Sequence, residues 1–409
     1  MTTFKGLKLH KGQEKIIKGI LYDNPVKYNV VNCSRQFGKS VMMQQLALFY
    51  SINNPKTLTL YTAPVHAQSK KAYKQILNAI ISSGIVKNHN ASDQIIELIN
   101  GSLLQFTGVE KADNLRGLSV HYMICDEMAF YKDDVWTEVL KPMLLVTGRQ
   151  AIFVSTPKGK KNMFFKLAAR GMSEEYKNYK YFHSNYKNNP YCDMEEIIDA
   201  MKTLPKFIFE QEYLAIFQET NAELFVNVKD VSTIVKFGAT TGPYYAGLDL
   251  GRKDDWTVLT IVDSKGNVVD VYRDRHKSWE TIVGNVITML KKYNAKCYIE
   301  VNNVGDVIYE MVKKQHNQVF EFVTSNSSKQ ILIENLIVLF QNKEIAIPTE
   351  ELFKALHDEL STFGYEYNPK TRTIRYGHET GFHDDTIDSL ALAYLCRKEK
   401  KNSSPAIQF

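Results

Sequence analysis

The sequence predicts an α/β protein of two domains, on the grounds of its length, its alternating segments and one interruption between them. A single hydrophobic core rarely extends beyond ~250–300 residues, and this chain has 409. Short apolar segments alternate with helix-like segments in both halves, which is typical of sheets covered by helices. The stretch Asn221–Thr241 has little periodicity and runs into Gly-Pro. We therefore expect one α/β domain on each side of it.

The composition is that of an ordinary globular protein, with 44% hydrophobic and 23% charged residues. The net charge of +6 and the isoelectric point near 8.7 permit a nucleic-acid partner without requiring one. Five cysteines form no C-x-x-C pair, so we expect no disulfide framework, no zinc site and a reducing cytoplasm. The polar N-terminus does not fit a signal peptide, and no apolar run approaches the ~20 residues of a membrane helix.

The first half contains four segments that are typical of strands in a parallel sheet. Each is a short apolar run that ends at a polar, turn-rich loop. Ligands of open α/β sheets bind at these carboxyl ends. The four segments are Tyr28–Val31, Leu58–Thr62, Tyr122–Cys125 and Ala151–Val154. From Tyr176 to Thr220 the pattern becomes helical and rich in aromatic residues, which predicts a small helical subdomain.

A new α/β pattern begins at Tyr244. Its first three strand-like segments predict an antiparallel meander. They are Tyr244–Leu250, Trp256–Val262 and Val268–Tyr272. A helix, a strand, the tip of a hairpin and the start of a last helix follow at Glu280–Tyr293, Cys297–Val301, Asn368–Lys370 and Asp384. We expect the first domain over 1–175, the helical subdomain over 176–222, a linker over 223–241, the second domain over 242–396 and a flexible tail over 397–409.

Cys33–Ser40, with the sequence Cys-Ser-Arg-Gln-Phe-Gly-Lys-Ser, lies between a predicted strand and a predicted helix. It matches the phosphate-binding loop G-x-x-x-x-G-K-[ST] except that Cys33 replaces the first glycine. Gly38 lets the backbone pass close to phosphate, and backbone N–H groups at the helix N-terminus attract the anion. Lys39 reaches the β and γ phosphates, and the Ser40 hydroxyl binds Mg²⁺. On its own, the segment also fits an ordinary Gly-Lys-Ser helix start.

Tyr122–Glu127 is an apolar strand segment that ends in two carboxylates. Asp126 is placed to hold Mg²⁺ through water, and Glu127 is placed to orient and deprotonate the attacking water. Taken alone, the segment also fits a strand followed by solvated acids. Both motifs together, in this order, predict hydrolysis of ATP with Mg²⁺. Gln13 suits adenine recognition or an ordinary surface position, and Thr156 suits a γ-phosphate sensor or a plain polar turn.

Three later segments carry acids at strand and helix ends. Asp249 lies in a central strand, Glu300 ends another strand, and His383–Asp388 begins the last helix. This order is similar to the arrangement in ribonuclease-H-type nucleases. There, two divalent ions ~3.5–4 Å apart activate water and stabilise the leaving oxygen. Because close carboxylates repel one another unless cations neutralise them, and hard oxygen ligands suit Mg²⁺ or Mn²⁺, the acids predict two such ions.

The spacing in the last helix leaves the choice of ligand open. Asp384 and Asp385 point about 100° apart, and an acid at a strand end or a helix cap is common without any metal. Asp255 and Asp388 rank second and fit solvated or outer carboxylates. The apolar residues that predict one sheet-facing side of this helix are Ile387, Leu390, Ala391, Tyr394 and Leu395.

Several of these motifs together resemble the large terminase subunits of tailed double-stranded DNA bacteriophages. The loop Cys33–Ser40, with arginine and glutamine inside it, is similar to the deviant phosphate loop of that family. Asn114–Gly117 lies shortly before the Asp126–Glu127 strand, as the family's corresponding segment does. Phe153–Gly159 resembles the family's coupling motif, and the likeness continues through Phe209–Leu214. It covers nearly the whole chain.

The resemblance implies a P-loop (ASCE-type) ATPase domain that drives DNA packaging and an RNase H-like nuclease domain that cuts concatemeric DNA. It implies that Arg35 contacts the γ-phosphate within its own subunit and that Arg116 reaches a neighbouring subunit's ATP. An arginine finger of that kind raises turnover ~10³–10⁵-fold. A structural turn arginine is the alternative for Arg116. The resemblance also favours Asp385 over Asp384 as a ligand.

The expected site residues fall into three sets. The nucleotide-binding residues are Gln13, Ser34, Arg35, Gln36, Gly38, Lys39, Ser40, Asp126 and Thr156. The catalytic residues are Glu127, Arg35, Arg116, Asp249, Glu300 and Asp385. The metal ligands are Ser40 and Asp126 for Mg²⁺ at the ATPase site, and Asp249, Glu300, Asp384 and Asp385 for two Mg²⁺ or Mn²⁺ at the nuclease site.

The partners follow from the same resemblance. They are double-stranded DNA, the portal protein, the small terminase subunit and the procapsid, with no membrane. The resemblance implies a homo-oligomeric ring, a pentamer, in the host cytoplasm and absent from the mature virion. DNA contacts are expected mainly at phosphates and therefore to be salt-sensitive. Basic residues that suit such contacts, or an ordinary charged surface, are Arg252, Lys253, Arg372 and Arg375.

Two other functions fit parts of the pattern. A DNA helicase–nuclease of a repair or defence system would unwind duplexes. A non-catalytic ATP switch would carry a degenerate second domain. The complete set Asp249, Glu300 and Asp385 argues against the second alternative.

Overall fold

The computed structural model describes residues 8–110, 112–219, 224–251, 255–275, 277–301, 305–368, 373–378 and 383–399. The chain divides into two compact units. The first is Met1–Ile197 with Phe207–Glu219, and the second is Ile198–Lys206 with Thr220–Phe409. Within the described ranges, no helix combines the length and the apolar character needed to cross a membrane.

The first unit is built on one large sheet. Its strands are β1 (Tyr28–Cys33), β2 (Leu58–Ala63), β3 (Val86–Asn90), β4 (Ile95–Leu98), β5 (Leu103–Gly108), β6 (Tyr122–Asp126), β7 (Gln150–Ser155) and β8 (Tyr179–Ser184). Their order is β3-β4-β5-β2-β6-β7-β1-β8. All neighbours from β5 to β8 are parallel, and β3 and β4 add an antiparallel edge. The four strands predicted from the first half are confirmed.

Helices cover both faces of this sheet. The helices of this part of the chain are α1 (Lys11–Leu21), α2 (Lys39–Asn53), α3 (His66–Ile80), α4 (Met163–Met172), α5 (Met194–Thr203, which runs into the second unit) and α6 (Lys206–Leu214). Successive residues of β1 enter different cores, Val30 on one face and Val31 on the other. Because both faces are covered, the inner strands are buried along nearly their whole length.

The helical subdomain predicted from residue 176 is wrong at its start. Tyr179–Ser184 forms β8, which pairs with β1 in parallel register. Its sequence Tyr-Lys-Tyr-Phe-His-Ser is rich in aromatic residues, which fit a pleated strand better than a helix. The helices begin only at Met194. The sheet therefore extends past residue 175.

The second unit is built on a smaller mixed sheet. Its strands are β9 (Ser232–Ile234), β10 (Tyr244–Asp249), β11 (Thr257–Asp263), β12 (Val268–Asp274), β13 (Lys296–Glu300), β14 (Val319–Phe322), β15 (Ile347–Pro348), β16 (Gly364–Asn368) and β17 (Thr373–Gly377). Five of these strands form the mixed sheet, in the order β12-β11-β10-β13-β14. The other four form the two-stranded pairs β15-β9 and β16-β17. The predicted meander β10-β11-β12 is confirmed, and β13 and β14 join it in parallel. β16 and β17 flank the predicted hairpin tip, of which residues 369 and 370 lie outside the described residues.

Helices of the second unit are α7 (Val228–Val231), α8 (Trp279–Tyr293), α9 (Gly305–Lys313), α10 (Asn326–Gln341), α11 (Lys354–Thr362) and α12 (Asp385–Glu399). α12 packs closely on β10 because Gly247 has no side chain. A Cβ there would lie 2.2 Å from the carbonyl oxygen of Ser389. The Ser389 hydroxyl in turn donates to the Gly247 carbonyl over 2.9 Å. This contact fixes the start of α12 against the end of β10.

Three expectations about the second unit are wrong. The predicted linker is packed into the unit: Phe225 is fully buried with its ring 5.1 Å from that of Phe340, and β9 pairs with β15. α12 is buried on all sides from Asp385 to Tyr394 rather than on one face, because α10 and α11 pack on it as well as the sheet. It also continues to Glu399, so the predicted tail starts inside a helix.

Candidate active sites

The predicted phosphate loop joins β1 to α2. Gly38 has a φ of +84°, in the left-handed region. A Cβ at this position would lie 2.5 Å from the Gln13 amide nitrogen. The backbone conformation therefore favours glycine here. The last two residues of the loop, Lys39 and Ser40, begin α2. Backbone N–H groups at a helix N-terminus attract anions.

Lys39 lies at the centre of this loop with 7% of its surface exposed. Its ammonium donates to the Ser34 carbonyl over 2.9 Å and to the Thr156 hydroxyl over 2.7 Å. Thr156 follows β7, the neighbour of β1. Both acceptors are neutral, so these hydrogen bonds position the charge without cancelling it.

Asp126 ends β6 beside this lysine. Its Oδ2 accepts a 2.5 Å hydrogen bond from the Tyr61 hydroxyl. Burial and the charge of Glu127 raise the pKa of Asp126 to about 6, against the lowering effect of hydrogen bonds from Tyr61 and Ser40 and of the Lys39 charge. Ser40 and Asp126, the two predicted magnesium ligands of this unit, are therefore in contact. Tyr61 was not anticipated from the sequence.

Glu127 adopts a backbone conformation that is rare for glutamate. Its φ of +53° lies in the left-handed region, which a non-glycine residue adopts at a cost of ~1–3 kcal/mol. Its Oε2 accepts a 3.0 Å hydrogen bond from Ser155, the last residue of β7. The carboxylate is thus held at the carboxyl edge of the sheet, where the sequence placed the group that activates water.

Gln13 touches the backbone of the phosphate loop. It is 5% exposed, so the alternative of a surface glutamine is wrong. Its Nε2 donates to the Gly38 carbonyl over 3.0 Å, and its Oε1 accepts from the His10 backbone over 3.1 Å. The His10 ring also contacts the Phe37 carbonyl at 3.1 Å. The role of Gln13 in adenine recognition stays a prediction.

The two predicted arginines are exposed and paired with acids. The side chain of Arg35 is 76% exposed and its Nε lies 3.4 Å from Glu212 Oε2. The side chain of Arg116 is 55% exposed, and its Nε donates to Asp113 over 2.9 Å. Of the residues that the structure describes, neither arginine contacts another group that would indicate its function, so the role of each at a γ-phosphate stays a prediction.

Glu212 is a site residue to which no sequence motif assigned a role. It is 8% exposed and pairs with Lys158 as well as Arg35. The backbone N–H of Arg35 also donates to the Glu212 carbonyl over 2.8 Å. Helix α6 is thereby tied to the phosphate loop and to the segment that follows β7. The only sequence signal was its position inside the Phe209–Leu214 motif.

In the second unit, three segments bring carboxylates together. β10 and β13 are parallel neighbours in which Leu248 lies opposite Ile299, so Asp249 and Glu300 leave adjacent strand ends. Burial raises the pKa of Asp249 well above its usual range, and the charges of Asp388, Glu300 and Asp385 raise it further. The expected acids therefore share one cluster.

The structure distinguishes Asp384 from Asp385. Asp385 Oδ2 accepts a 3.2 Å hydrogen bond from the Trp256 backbone, and its charge acts on Asp249. Burial raises the pKa of Asp385 to about 6. Asp384 instead pairs with Lys329 over 2.8 Å. The geometry favours Asp385 as the partner of Asp249, and its role as a ligand stays a prediction.

Asp388 is more central than the sequence suggested, and its description as a solvated carboxylate is wrong. It is 7% exposed. Burial, together with the charges of Asp384 and Glu300, raises the pKa of Asp388 to about 7 against the lowering effect of Lys329. Among the neighbouring charges, that of Asp388 raises the pKa of Asp249 most. Its Oδ1 is buried and has no hydrogen-bond partner among the described residues.

Lys329 was not identified from the sequence at all. It lies in the first turn of α10, and its ammonium contacts Asp384 Oδ2 at 2.8 Å and Asp388 Oδ2 at 2.6 Å. These partners are 55 and 59 residues away along the chain. No local spacing rule connects residues that far apart, so only the folded structure brings them together.

The acidic cluster fits a divalent cation in its chemistry. Among the described side chains, no three His, Cys, Asp or Glu residues stand as a group that could hold a metal ion. Lys329 occupies one oxygen each of Asp384 and Asp388. The donors are nevertheless all hard oxygens, they disfavour one another's ionised form, and the Asp388 Oδ1 lacks a partner within the described part of the chain. A divalent cation would relieve both costs.

The remaining expectations concern the surroundings of the cluster. Asp255 is 49% exposed and lies 3.4 Å from His383, as expected of an outer carboxylate. Arg375 is exposed on β17. Arg252, Lys253 and Arg372 lie outside the described residues.

Comparison with protein families gives one match in each part of the chain. Residues 30–229 match the family described as "Terminase large subunit, T4likevirus-type, N-terminal". Residues 246–396 match the family described as "Terminase RNaseH-like domain". Together these two matches cover most of the chain.

Two curated relatives are described as large subunits of terminases. The "Terminase, large subunit" of Escherichia phage T5 is 31% identical over 261 residues, which are 61% of this chain and 59% of that protein. The protein of the same description from Thermus virus P23-45 is 27% identical over 311 residues, which are 70% of this chain and 63% of that protein. The chain thus spans less than two thirds of the length of these relatives.

A solved structure has the same fold over nearly the whole chain. The large terminase from a thermophilic bacteriophage aligns with a TM-score of 0.50 at 12% identity, covering 96% of this chain and 99% of that one. At this identity, the likeness concerns the fold alone.

Proposed function

Because the chain belongs to the large-subunit family of phage terminases, we propose that it uses ATP to drive double-stranded DNA into a procapsid and cuts that DNA with divalent metal ions. One observation carries the proposal. The chain has a phosphate loop facing a carboxylate pair in one unit and an acidic cluster in the other. A motor without nuclease activity would need only the first of these sites.

Hydrolysis of ATP is assigned to the first unit. Lys39, held by neutral acceptors, is free to balance the charge of the β and γ phosphates. Glu127 is fixed by Ser155 at the carboxyl edge of the sheet and is placed to orient a water and accept its proton. Ser40 and Asp126 would hold Mg²⁺, which, when bound, would neutralise the charge that develops on the phosphates. The hydroxyl of Thr156, next to Lys39, would sense the γ-phosphate.

DNA cutting is assigned to the second unit. Asp249, Glu300 and Asp385 would hold two Mg²⁺ or Mn²⁺, which, when bound, would lower the pKa of an attacking water and stabilise the leaving oxygen of the phosphodiester. The chain itself positions these acids through the β10–β13 pairing and through the contact of α12 with Gly247. Asp388 adds a fourth carboxylate to the same cluster.

Two arginines extend the first site. Arg35 is exposed beside the phosphate loop, and exchanging its Glu212 partner for a γ-phosphate would stabilise the transition state from within the subunit. Arg116 is exposed and held by a nearby acid, which suits a finger that reaches the ATP of a neighbouring copy. That role requires a neighbouring subunit, which a homo-oligomeric ring, proposed to be a pentamer docked on the portal protein, would supply.

The partners proposed for the packaging reaction are the small terminase subunit, the portal and the procapsid, in the cytoplasm of the host. We assign the motor activity to the first compact unit, Met1–Ile197 with Phe207–Glu219, and the nuclease activity to the second. DNA contacts are proposed at phosphates near the acidic cluster, and the exposed Arg375 of β17 is a candidate for such a contact.

A pair of variants of the full chain tests the proposal. Lys39→Ala should lose DNA-stimulated ATP hydrolysis and keep Mn²⁺-dependent plasmid cleavage. Asp249→Asn should do the reverse, with cleavage reduced ~10²-fold or more. Loss of both activities in either variant, or plasmid cleavage that survives in Asp249→Asn, would contradict the assignment of two separate sites.

A further inference from the structure

The acidic cluster of the second unit contains a cation of its own. Lys329 is only 24% exposed at its side chain, and its ammonium lies within 2.8 Å of oxygens from both Asp384 and Asp388. Charge-assisted hydrogen bonds of this length are among the stronger ones in proteins. The lysine is therefore a built component of the cluster rather than a surface residue nearby.

The backbone fixes the position of this lysine. Ser325 caps α10, accepting from the Ser328 N–H over 3.1 Å, and the Lys329 N–H donates to the Ser325 carbonyl over 2.9 Å. The first turn of α10 is thus held in place, and the side chain of Lys329 leaves it toward the start of α12. Both partner acids lie at that start, one on each side of Asp385.

The two carboxylate oxygens of Asp388 differ in their partners. Asp388 Oδ2 is bound to Lys329, whereas its Oδ1 is buried and has no hydrogen-bond partner in the described ranges. The charge of Asp388 acts strongly on Asp249, and the charge of Lys329 acts on Asp249 in the opposite sense. Lys329 thus offsets part of the electrostatic repulsion among these carboxylates.

An ammonium and a divalent cation repel each other when both lie against the same group of carboxylates. We propose that Lys329 is the internal counter-ion of the nuclease site: it holds Asp384 and Asp388 in place, and its charge opposes the binding of divalent cations to the neighbouring acids. The inference rests on the proposed nuclease function, because it concerns the affinity of that site for its metal. Lys329 acts through the two aspartates and is therefore a positioning residue.

Removing the charge should have two opposite effects. Without its counter-ion, the cluster is more repulsive, so the metal-free protein should unfold at a lower temperature. Without its competitor, the cluster should bind Mn²⁺ more tightly, by ~10-fold. A lysine that only supported the fold would lower the unfolding temperature without tightening metal binding. The two readouts together therefore separate the proposal from a structural role.

The experiment is a calorimetric titration of the full chain with Mn²⁺ in the absence of nucleotide. Every protein carries Asp126→Asn, which removes the carboxylate proposed to hold a metal ion in the first unit. The variants are Lys329→Met, which keeps an apolar stem, Lys329→Gln, which keeps hydrogen-bond donors, and Lys329→Arg, which keeps the charge. The matched control is Lys292→Met, which removes a lysine paired with Asp270 over 3.0 Å on the same unit.

We expect both neutral variants to bind Mn²⁺ ~10-fold more tightly than the parent, while Lys329→Arg and Lys292→Met stay close to it. Lys329→Gln answers the question if the methionine variant does not fold. Unchanged or weaker Mn²⁺ binding in the neutral variants overturns the inference while leaving the nuclease function intact. If neither the parent nor the neutral variants show Mn²⁺ binding that Asp249→Asn removes, the proposed nuclease function fails as well.

Discussion

Each unit of the chain contains a buried or nearly buried lysine at its site, and the two are held in opposite ways. Lys39 donates to a backbone carbonyl and a threonine hydroxyl, both neutral. Lys329 donates to two carboxylates. The neutral hydrogen-bond partners of Lys39 leave its charge able to attract an anionic ligand. The charge of Lys329 is instead balanced by carboxylates of the protein. The difference shows that the partners of a lysine, rather than its burial, indicate the ligand of a site.

The acids follow the same division. Asp126 and Glu127 form a small pair beside a lysine and a helix N-terminus, which suits a nucleotide with one cation. Asp249, Glu300, Asp385 and Asp388 form a larger group, and Lys329 balances only part of its charge. A phosphate group would be repelled there unless cations bound first. The sites are thus complementary to different ligands although both combine carboxylates with a lysine.

The largest expected effect is on the anion-binding lysine. Lys39→Ala should lower kcat/KM for ATP by ~10²–10³-fold, because a buried donor aimed at developing phosphate charge is lost. Lys27→Ala is the control, since Lys27 donates to the Leu144 carbonyl in the same unit. Steady-state ATP hydrolysis measures both. Equal losses in the two variants would mean that Lys39 acts through stability alone.

Asp388→Asn tests whether the fourth acid belongs to the cation site. It should reduce Mn²⁺-dependent plasmid cleavage by about 10–100-fold, because the strongest charge acting on Asp249 and the partner of Lys329 disappear together. Asp255→Asn, at a carboxylate that is 49% exposed, should change cleavage much less. Cleavage that falls equally in both variants would remove the distinction between inner and outer acids.

Glu212→Gln asks whether an acid beside the phosphate loop opposes nucleotide binding. Loss of its negative charge leaves Arg35 and Lys158 without their carboxylate, so KM for ATP should fall by about threefold. Glu210→Gln, two residues earlier, is the control. A higher KM in Glu212→Gln would show instead that Glu212 is needed to shape the loop.

The last expected effect is on stability rather than on activity, and it concerns the acid that caps α12. Glu359 accepts from the backbone N–H groups of Thr386 and Ile387 over 2.9 and 3.3 Å. Burial raises the pKa of Glu359 to about 8. The folded protein therefore keeps this proton to a higher pH than the unfolded chain does, and its stability should fall as pH rises from about 4.5 to 8.

Glu359→Gln keeps the capping oxygen and removes the titration. Its free energy of unfolding, measured with denaturant at pH 5 and pH 8, should decrease less over that interval than the wild-type value does. The difference should be a few kcal/mol at most, ~1–3. Glu350→Gln, at an exposed position, is the control. An equal decrease in all three proteins would show that Glu359 is not the group that titrates.

The sequence predicted the first site better than the second for a physical reason. A phosphate loop is local, so Gly38, Lys39 and Ser40 could be assigned from eight consecutive residues. The contact of Lys39 with Thr156 follows from the parallel pairing of β1 and β7. Tyr61 and Glu212 were missed because a tyrosine in a strand and a glutamate in a helix carry no local signal of what they contact.

The acidic cluster depends on contacts between distant segments. Asp249, Glu300 and the pair Asp384 and Asp385 could be proposed because each ends or begins an element that periodicity identifies, and the family resemblance favoured Asp385. The choice between Asp384 and Asp385, the burial of Asp388 and the presence of Lys329 depend on packing between α10 and α12. Amphipathic spacing also failed for α12 itself, because a helix covered on all sides has no solvent face to reveal its orientation.

The most direct test of the account is anomalous scattering from Mn²⁺ in crystals of the full chain. We expect Mn²⁺ to bind among Asp249, Glu300 and Asp385, with the ammonium of Lys329 moved away from any oxygen that coordinates the metal. Mn²⁺ bound elsewhere on the second unit, with the acidic cluster still paired only with Lys329 at saturating metal, would contradict it.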